Sequence, residues 1–143
     1  MSVNDMILTM GTAYRGAVEA IRETIPRKDK QSTLALSILV YVDKNSGISQ
    51  GELGKILRRD PMTMSQAVRS LQNASLITSQ PDNTDRRIKR LQLTKKGKGL
   101  SDLLNSAESK LLNGLSKEWG KGRLNQFTKD LIEFNDYLNR NRI

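Results

Sequence analysis

Apolar positions recur along this chain with two different periods, and the change between them marks out its parts. From residue 3 to 25, Val3, Ile7, Met10, Tyr14, Ala17, Val18 and Ile21 fall on one face at helical spacing. Pro26 and the polar run Arg27–Gln31 end that helix. Residues 32–44 predict a second helix, apolar nearly all round through Leu34, Leu36, Ile38, Leu39, Val40 and Val42, and so buried. Asn45-Ser46-Gly47 stops it, and Ile48 suits a short strand. Ser49 and Glu52 then have the spacing of a capping box, opening a short helix through Ile56 and Leu57. Asp60-Pro61 opens another, with Asp60 as cap, Pro61 in the first turn, and Met64, Val68 and Leu71 facing inward.

Beyond Asn73-Ala74-Ser75 the period drops to two. Leu76-Ile77 begin a strand that runs to Gln80, Pro81 to Thr84 make a polar turn, and Ile88, Leu91 and Leu93 alternate with polar residues as a half-buried strand does. Helical spacing returns after Thr94, a candidate N-cap, through Leu100, Leu103, Leu104, Leu111, Leu112 and Leu115. Gly97 and Gly99 weaken its first turns by about 1 kcal/mol each relative to Ala. Gly120 and Gly122 interrupt the pattern, and a last helix over residues 123–139 carries Leu124, Phe127, Leu131, Phe134 and Leu138. The fold class is mainly α with a small β-hairpin, about six helices in all. No repeat or low-complexity linker divides the chain, so a single domain spanning 1–143 is expected.

Charge sharpens this outline. The chain carries +9, and residues 81–98 hold seven cations (Arg86, Arg87, Lys89, Arg90, Lys95, Lys96, Lys98) against Asp82 and Asp85, a net +5. A hairpin with arginines at its tip suits the narrow, negative minor groove of DNA; a merely solvated basic face is the plain alternative. Directly upstream, residues 49–75 fit helix-turn-helix logic. The second helix would present Thr63, Ser65, Gln66, Arg69 and Ser70, with Pro61 and Met62 near its tip. Gln pairs with adenine, Arg with guanine or phosphate, and hydroxyls with either; the amides of the helix start can also take a phosphate. A two-helix hairpin with a solvated face would look the same in isolation. Beside the basic hairpin it becomes half of a winged helix-turn-helix.

Other functions are disfavoured. The chain has no Cys and no His, which removes thiol and imidazole catalysis, disulfides and Cys/His zinc sites. Catalysis would rest on scattered acids such as Asp43, Asp102, Glu108 and Glu133, without a Gly-rich phosphate loop. A non-enzymatic protein with no cofactor and no metal is expected. No apolar run approaches the ~20 residues of a membrane span, and MSVNDMILTM lacks the basic start of a signal peptide. The expected location is the cytoplasm, at the nucleoid, with double-stranded DNA rather than a membrane as partner.

Residues 48–98 resemble the core of the MarR (multiple antibiotic resistance regulator) family of bacterial and archaeal transcription factors. The resemblance rests on Ser-x-x-Glu-Leu from Ser49 to Leu53, on Thr63 and Ser65 in a helix ending at Leu71, and on Leu76-Ile77. Asp85-Arg86-Arg87 and the closing Leu93-Thr94-x-x-Gly97 complete it. It implies a homodimer whose terminal segments, 1–30 and 120–143, interlock, a winged helix-turn-helix lobe over 31–98, and a long connecting helix over 94–119. It also implies that Pro61, Thr63, Ser65, Gln66, Arg69 and Ser70 serve the recognition helix. On the wing, Arg87 would enter the minor groove, Asp85 would brace the tip by pairing with an arginine or with backbone amides, and Arg86, Lys89 and Arg90 would contact phosphates. A repressor on a near-palindromic operator follows, released by a small ligand; Tyr14, Arg15, Tyr41 and Trp119 could line its pocket, with packing or surface roles as the plainer reading of each. The lack of Cys sets the chain apart from thiol-based, peroxide-sensing members.

Three features depart from that pattern: Arg58-Arg59 where a small, Gly-type turn is common, Met62 and Met64 in place of small or β-branched residues, and Ser75 where Gly is typical. Met64 reads as core rather than contact. A sequence-neutral architectural DNA-binding protein is the alternative function, and a protein-interaction module built on the same fold stands behind it.

Overall fold

The computed structural model describes residues 3–141. Residues 1–2 and 142–143, the outer edges of the expected dimerisation segments, lie outside the described residues. Among those described, six α-helices and one antiparallel pair of strands follow in order. They are α1 (Met6–Arg22), α2 (Thr33–Lys44), α3 (Gln50–Leu57), α4 (Pro61–Asn73), β1 (Ile77–Pro81), β2 (Lys89–Leu93), α5 (Lys95–Trp119) and α6 (Lys121–Arg140). Short 3-10 turns at Val3–Asp5 and Arg27–Asp29 precede α1 and α2. The chain divides into two compact units, residues 1–106 and 107–143. No helix among the described residues is long and apolar enough to cross a membrane.

The core lies in the first unit. Helix α2 contributes Ala35, Leu36, Ile38, Leu39 and Val42; α3 adds Leu53; α4 adds Met64, Ala67, Val68 and Leu71. Leu76, Ile77 and Leu91 come from the hairpin, Leu100 and Leu104 from α5. Truncating such a side chain to Ala typically costs about 2–5 kcal/mol. Caps fix where the helices start. Ser32 accepts from the Ala35 amide at 3.1 Å, and Ser49 and Glu52 exchange both bonds of a capping box.

Two element boundaries differ from the sequence pattern. The first helix ends at Arg22 rather than near residue 25, because Ile25 turns into the core, at 5% exposure, ahead of Pro26. The last helix starts at Lys121, earlier than expected: Gly120, with φ of 82°, is the break, while Gly122 is helical. At Ile48 the expected strand reduces to one bridge, Ser49 to Arg90. Gly47 N donates to Leu91 O at 2.9 Å and Leu91 N to Ile48 O at 3.0 Å, so residues 47–49 lie beside β2.

Left-handed backbone explains two of the departures seen in the sequence. Arg58 (φ 55°) and Ser75 (φ 58°) are the non-glycine residues with positive φ among those described. Arg58 caps α3 and Ser75 follows α4, the positions where helices commonly turn back through glycine. An L-residue there carries roughly 1–2 kcal/mol of strain.

The hairpin is anchored where it returns. Its strands pair from Ile77–Leu93 to Pro81–Lys89. Thr94 Oγ1 donates to Ser75 O at 2.6 Å and accepts from Gly97 N at 3.0 Å, so one hydroxyl caps α5 and ties it to the end of α4. Lys96 Nζ adds a bond to Ala74 O at 2.9 Å. Gly97 packs on the Leu76 carbonyl so closely that a Cβ there would lie 1.9 Å from its oxygen. The Leu93-Thr94-x-x-Gly97 series is thus a close-packed joint, and Gly97 has a steric reason that helix propensity conceals.

Replacing Gly97 by Ala should therefore destabilise the fold by about 2–3 kcal/mol, since backbone must shift to admit the methyl. Ser75→Gly should do the opposite, adding about 1 kcal/mol by relieving left-handed strain. Thermal melts followed by circular dichroism check both; equal melting temperatures for the two variants would contradict this account of the joint.

Candidate nucleic-acid interface

Helices α3 and α4 form the helix-turn-helix, and its turn is tight because Gly54 allows it. A Cβ on Gly54 would come within 3.2 Å of Met64 Cγ. Asp60 then starts α4, its carboxylate accepting from Thr63 N at 2.9 Å and from Thr63 Oγ1 at 2.6 Å. The Thr63 hydroxyl, followed by the Thr63 amide, holds the Asp60 carboxyl below its ordinary pKa. An anionic cap therefore occupies the helix start that the sequence offered to a phosphate.

Along α4 the six expected contact residues separate into two groups. The Thr63 hydroxyl is bound to its cap; Ser65 accepts from Gln50 Nε2 at 3.1 Å; Ser70 donates to Gln31 Oε1 at 2.9 Å. Pro61, Gln66 and Arg69 are exposed and are held by no other described side chain. Beside Pro61, Met62 is 73% exposed, whereas Met64 is in the core at 1%.

The wing tip is organised by a residue that the sequence pattern leaves without a role. Asp82 accepts from the Thr84 and Asp85 amides, both at 3.0 Å, and from Arg90 Nε at 2.7 Å. The Arg90 guanidinium, then those two amides, pull the Asp82 carboxyl from 3.8 down to about 2. Its signal in the sequence is the Pro-Asp-Asn-Thr turn, where an Asp side chain bonds the backbone two and three residues on.

Next to it, Asp85 takes Arg87 Nε and Nη2, each at 3.0 Å, and the Arg87 amide at 3.1 Å. The Arg87 guanidinium is the main reason its carboxyl lies below the ordinary value. The Arg87 side chain remains 91% exposed. The pairing uses one edge of the guanidinium and leaves Nη1 to donate outward.

Arg90, expected to contact phosphates, is bonded within the wing. Besides Asp82, it donates through Nη1 to Gly47 O at 3.1 Å, so it stitches the wing to residues 47–49. Lys98 is similarly engaged, at 3.0 Å from Asp43 and 3.1 Å from Asp102. Asp43 also accepts from the buried Ser101 hydroxyl at 2.7 Å, which is the first cause of its lowered pKa, ahead of Lys98. Much of the basic run from 81 to 98 is therefore scaffold. Arg86, Lys89 and Lys95 are the exposed cations in it without an internal partner among the described residues.

Tyr14 is 59% exposed and Tyr41 36%. Trp119 is taken up within the second unit, with Arg123 stacked 4.3 Å above its ring and Phe127 edge-on at 5.4 Å.

A helix-turn-helix followed by a basic, arginine-tipped hairpin defines a winged-helix DNA-binding protein. Residues 32–89 match the model of the MarR family. The chain is 32% identical, over 71% of its length and 67% of the relative's, to an uncharacterized HTH-type transcriptional regulator, YybA, of Bacillus subtilis (strain 168). Among solved structures it is similar to a MarR transcriptional regulator from Methanosarcina mazei Go1, with a TM-score of 0.83, 22% identity and 99% and 94% of the two chains covered. It is also similar to Streptococcus pneumoniae FabT in complex with DNA, with a TM-score of 0.79, 16% identity and 97% and 99% covered. The chain belongs to the MarR family of DNA-binding transcriptional regulators.

The Asp82 clamp has a testable pH signature. Its folded pKa is depressed, so its stabilisation is complete above the unfolded value of 3.8 and is lost as pH falls toward about 2. The amide resonances of Thr84 and Asp85 should titrate with a midpoint near that lower value, and Asp82→Asn should abolish the titration. A wild-type midpoint at the ordinary 3.8 would mean the clamp does not hold in solution.

Proposed function

We propose that this protein acts as a homodimeric repressor on a near-palindromic operator. Each subunit lays α4 in the major groove and its wing in the adjacent minor groove. The observation that carries the reading is Arg87: 91% exposed, yet held by Asp85 in one orientation. An arginine fixed before binding loses little side-chain freedom on entering a narrow groove. Gln66 and Arg69 are the base- or phosphate-facing donors of α4, and Arg86 and Lys89 meet phosphates beside the tip. Thr63, Ser65 and Ser70 act in this reading through the backbone and side chains they hold in place. Met62, apolar and exposed beside Pro61, fits a thymine methyl.

Dimerisation is supported by apolar side chains that neither unit covers. Helices α1 and α6 bury no residue. Ile7 and Leu8 on α1 are 63% and 72% exposed, and Ile132 and Tyr137 on α6 are 57% and 53% exposed. A second copy covering these faces would set two recognition helices about one helical turn of DNA apart, matching a two-fold operator. Repression would follow from occlusion of the promoter. Release by a small ligand belongs to this reading through the family alone, with exposed Tyr14 and Tyr41 available to such a ligand.

Selection from random duplexes should recover an inverted repeat; a flat sequence pool would favour the architectural alternative. On the selected site, Arg87→Ala should weaken binding by about 1–3 kcal/mol, roughly ten- to a hundredfold, with an unchanged melting temperature. Unchanged affinity at fixed salt would remove Arg87 from the interface.

A further inference from the structure

By its sequence, the segment between α1 and α2 is only a helix terminator. Its folded form is more specific. Ile25 pins one end in the core, and Ser32 caps α2 at the other. Arg22 Nη1 donates to Thr33 Oγ1 at 3.0 Å, closing the ends together. Between them, Asp29 N bonds Pro26 O at 2.9 Å and Lys30 N bonds Arg27 O at 3.3 Å, giving a single tight turn. The turn exposes Arg27, Lys28 and Lys30, with Asp29 half-buried among them. None of the three cations is engaged by another described residue.

The turn is also attached to the recognition helix. Gln31, immediately after Lys30, accepts the Ser70 hydroxyl at 2.9 Å. Ser70 adjoins Arg69 and stands nine residues beyond Pro61, roughly 13 Å along the helix axis. A recognition helix meets base edges with its N-terminal residues, so with the Pro61 end of α4 on the bases, Ser70 and the turn bonded to it lie toward the groove's flank.

We infer that the Arg27–Lys30 turn is a further DNA-contact surface, a phosphate clamp flanking the major groove and tied to the recognition helix by the Gln31–Ser70 bond. The inference rests on the DNA-binding reading above. The surface adds affinity and salt dependence without reading sequence, since it meets backbone rather than base edges. It also gives Ser70 its part, as the link that sets the turn against α4.

The test is fluorescence anisotropy with the full-length protein and a mixed-sequence duplex of about 30 base pairs, titrated between about 50 and 200 mM salt. The triple variant R27Q/K28Q/K30Q should lower the magnitude of the slope of log K against log salt by about 0.9 for each phosphate it no longer neutralises, roughly 2–3 phosphates per subunit. R27K/K28R/K30R should keep the wild-type slope, which separates charge from shape, and both variants should melt with the wild type. If the triple Gln variant keeps the wild-type slope while R86Q/K89Q lowers it, the clamp is overturned and the DNA reading survives. A wild-type protein with no salt-dependent duplex binding overturns both. Capture of anionic phospholipid vesicles by wild type but not by the triple variant, with the duplex slope unchanged, also overturns the clamp and assigns the turn to lipid.

Discussion

A two-stranded hairpin is marginal by itself in water, and everything this protein presents at the far end of its wing depends on overcoming that. The chain clamps the hairpin at three levels. At its root, Thr94 and Gly97 lock the return strand onto Ser75 and Leu76. At mid-height, Arg90 reaches across to Gly47, and the Ser49 bridge adds a rudimentary third strand. At the tip, Asp82 gathers two amides and a guanidinium. Only with these in place is Arg87 a directed group rather than the end of a floppy loop.

The clamps redistribute the charge. In the sequence the run from 81 to 98 is predominantly basic; in the folded chain its cations divide by task. Arg90, Lys96 and Lys98 are bound to Asp82, to the Ala74 carbonyl, and to Asp43 and Asp102. Exposed ion pairs of this type are worth little individually, but here they fix geometry, which is what a wing requires. The polar face of α4 divides similarly. Its hydroxyls are bonded to Asp60, Gln50 and Gln31, while Gln66 and Arg69 stand exposed.

Strain is tolerated where the helix-turn-helix is shaped. Arg58 and Ser75 end α3 and α4 in the left-handed conformation without the glycine that would relieve it. Ser75 adjoins Leu76, which is buried at 1% exposure, so packing there holds a turn that local preference opposes. Helices α1 and α6 bury no residue fully, and Ile7, Leu8, Ile132 and Tyr137 on them stay exposed.

The order of helices and the hairpin was legible from spacing alone, because burial on one face forces a period of 3.6 or of 2 whatever the neighbours are. So were the Ser49–Glu52 and Asp60 caps, which act within a single turn, and the inward set Met64, Val68 and Leu71. The family, too, could be read from contiguous residues, since its signature lies in local turns and caps. Sequence did not disclose which cations are structural. Arg90 meets Gly47 and Lys98 meets Asp43 across 43 and 55 residues of chain, and no local pattern encodes such pairs. Gly97 looked like a flaw in a helix until the Leu76 carbonyl was found against it. Local sequence determined the elements and their caps, because those depend on near neighbours; the tertiary structure decided each polar side chain's task, because a charge is scaffold or contact according to what the fold brings beside it.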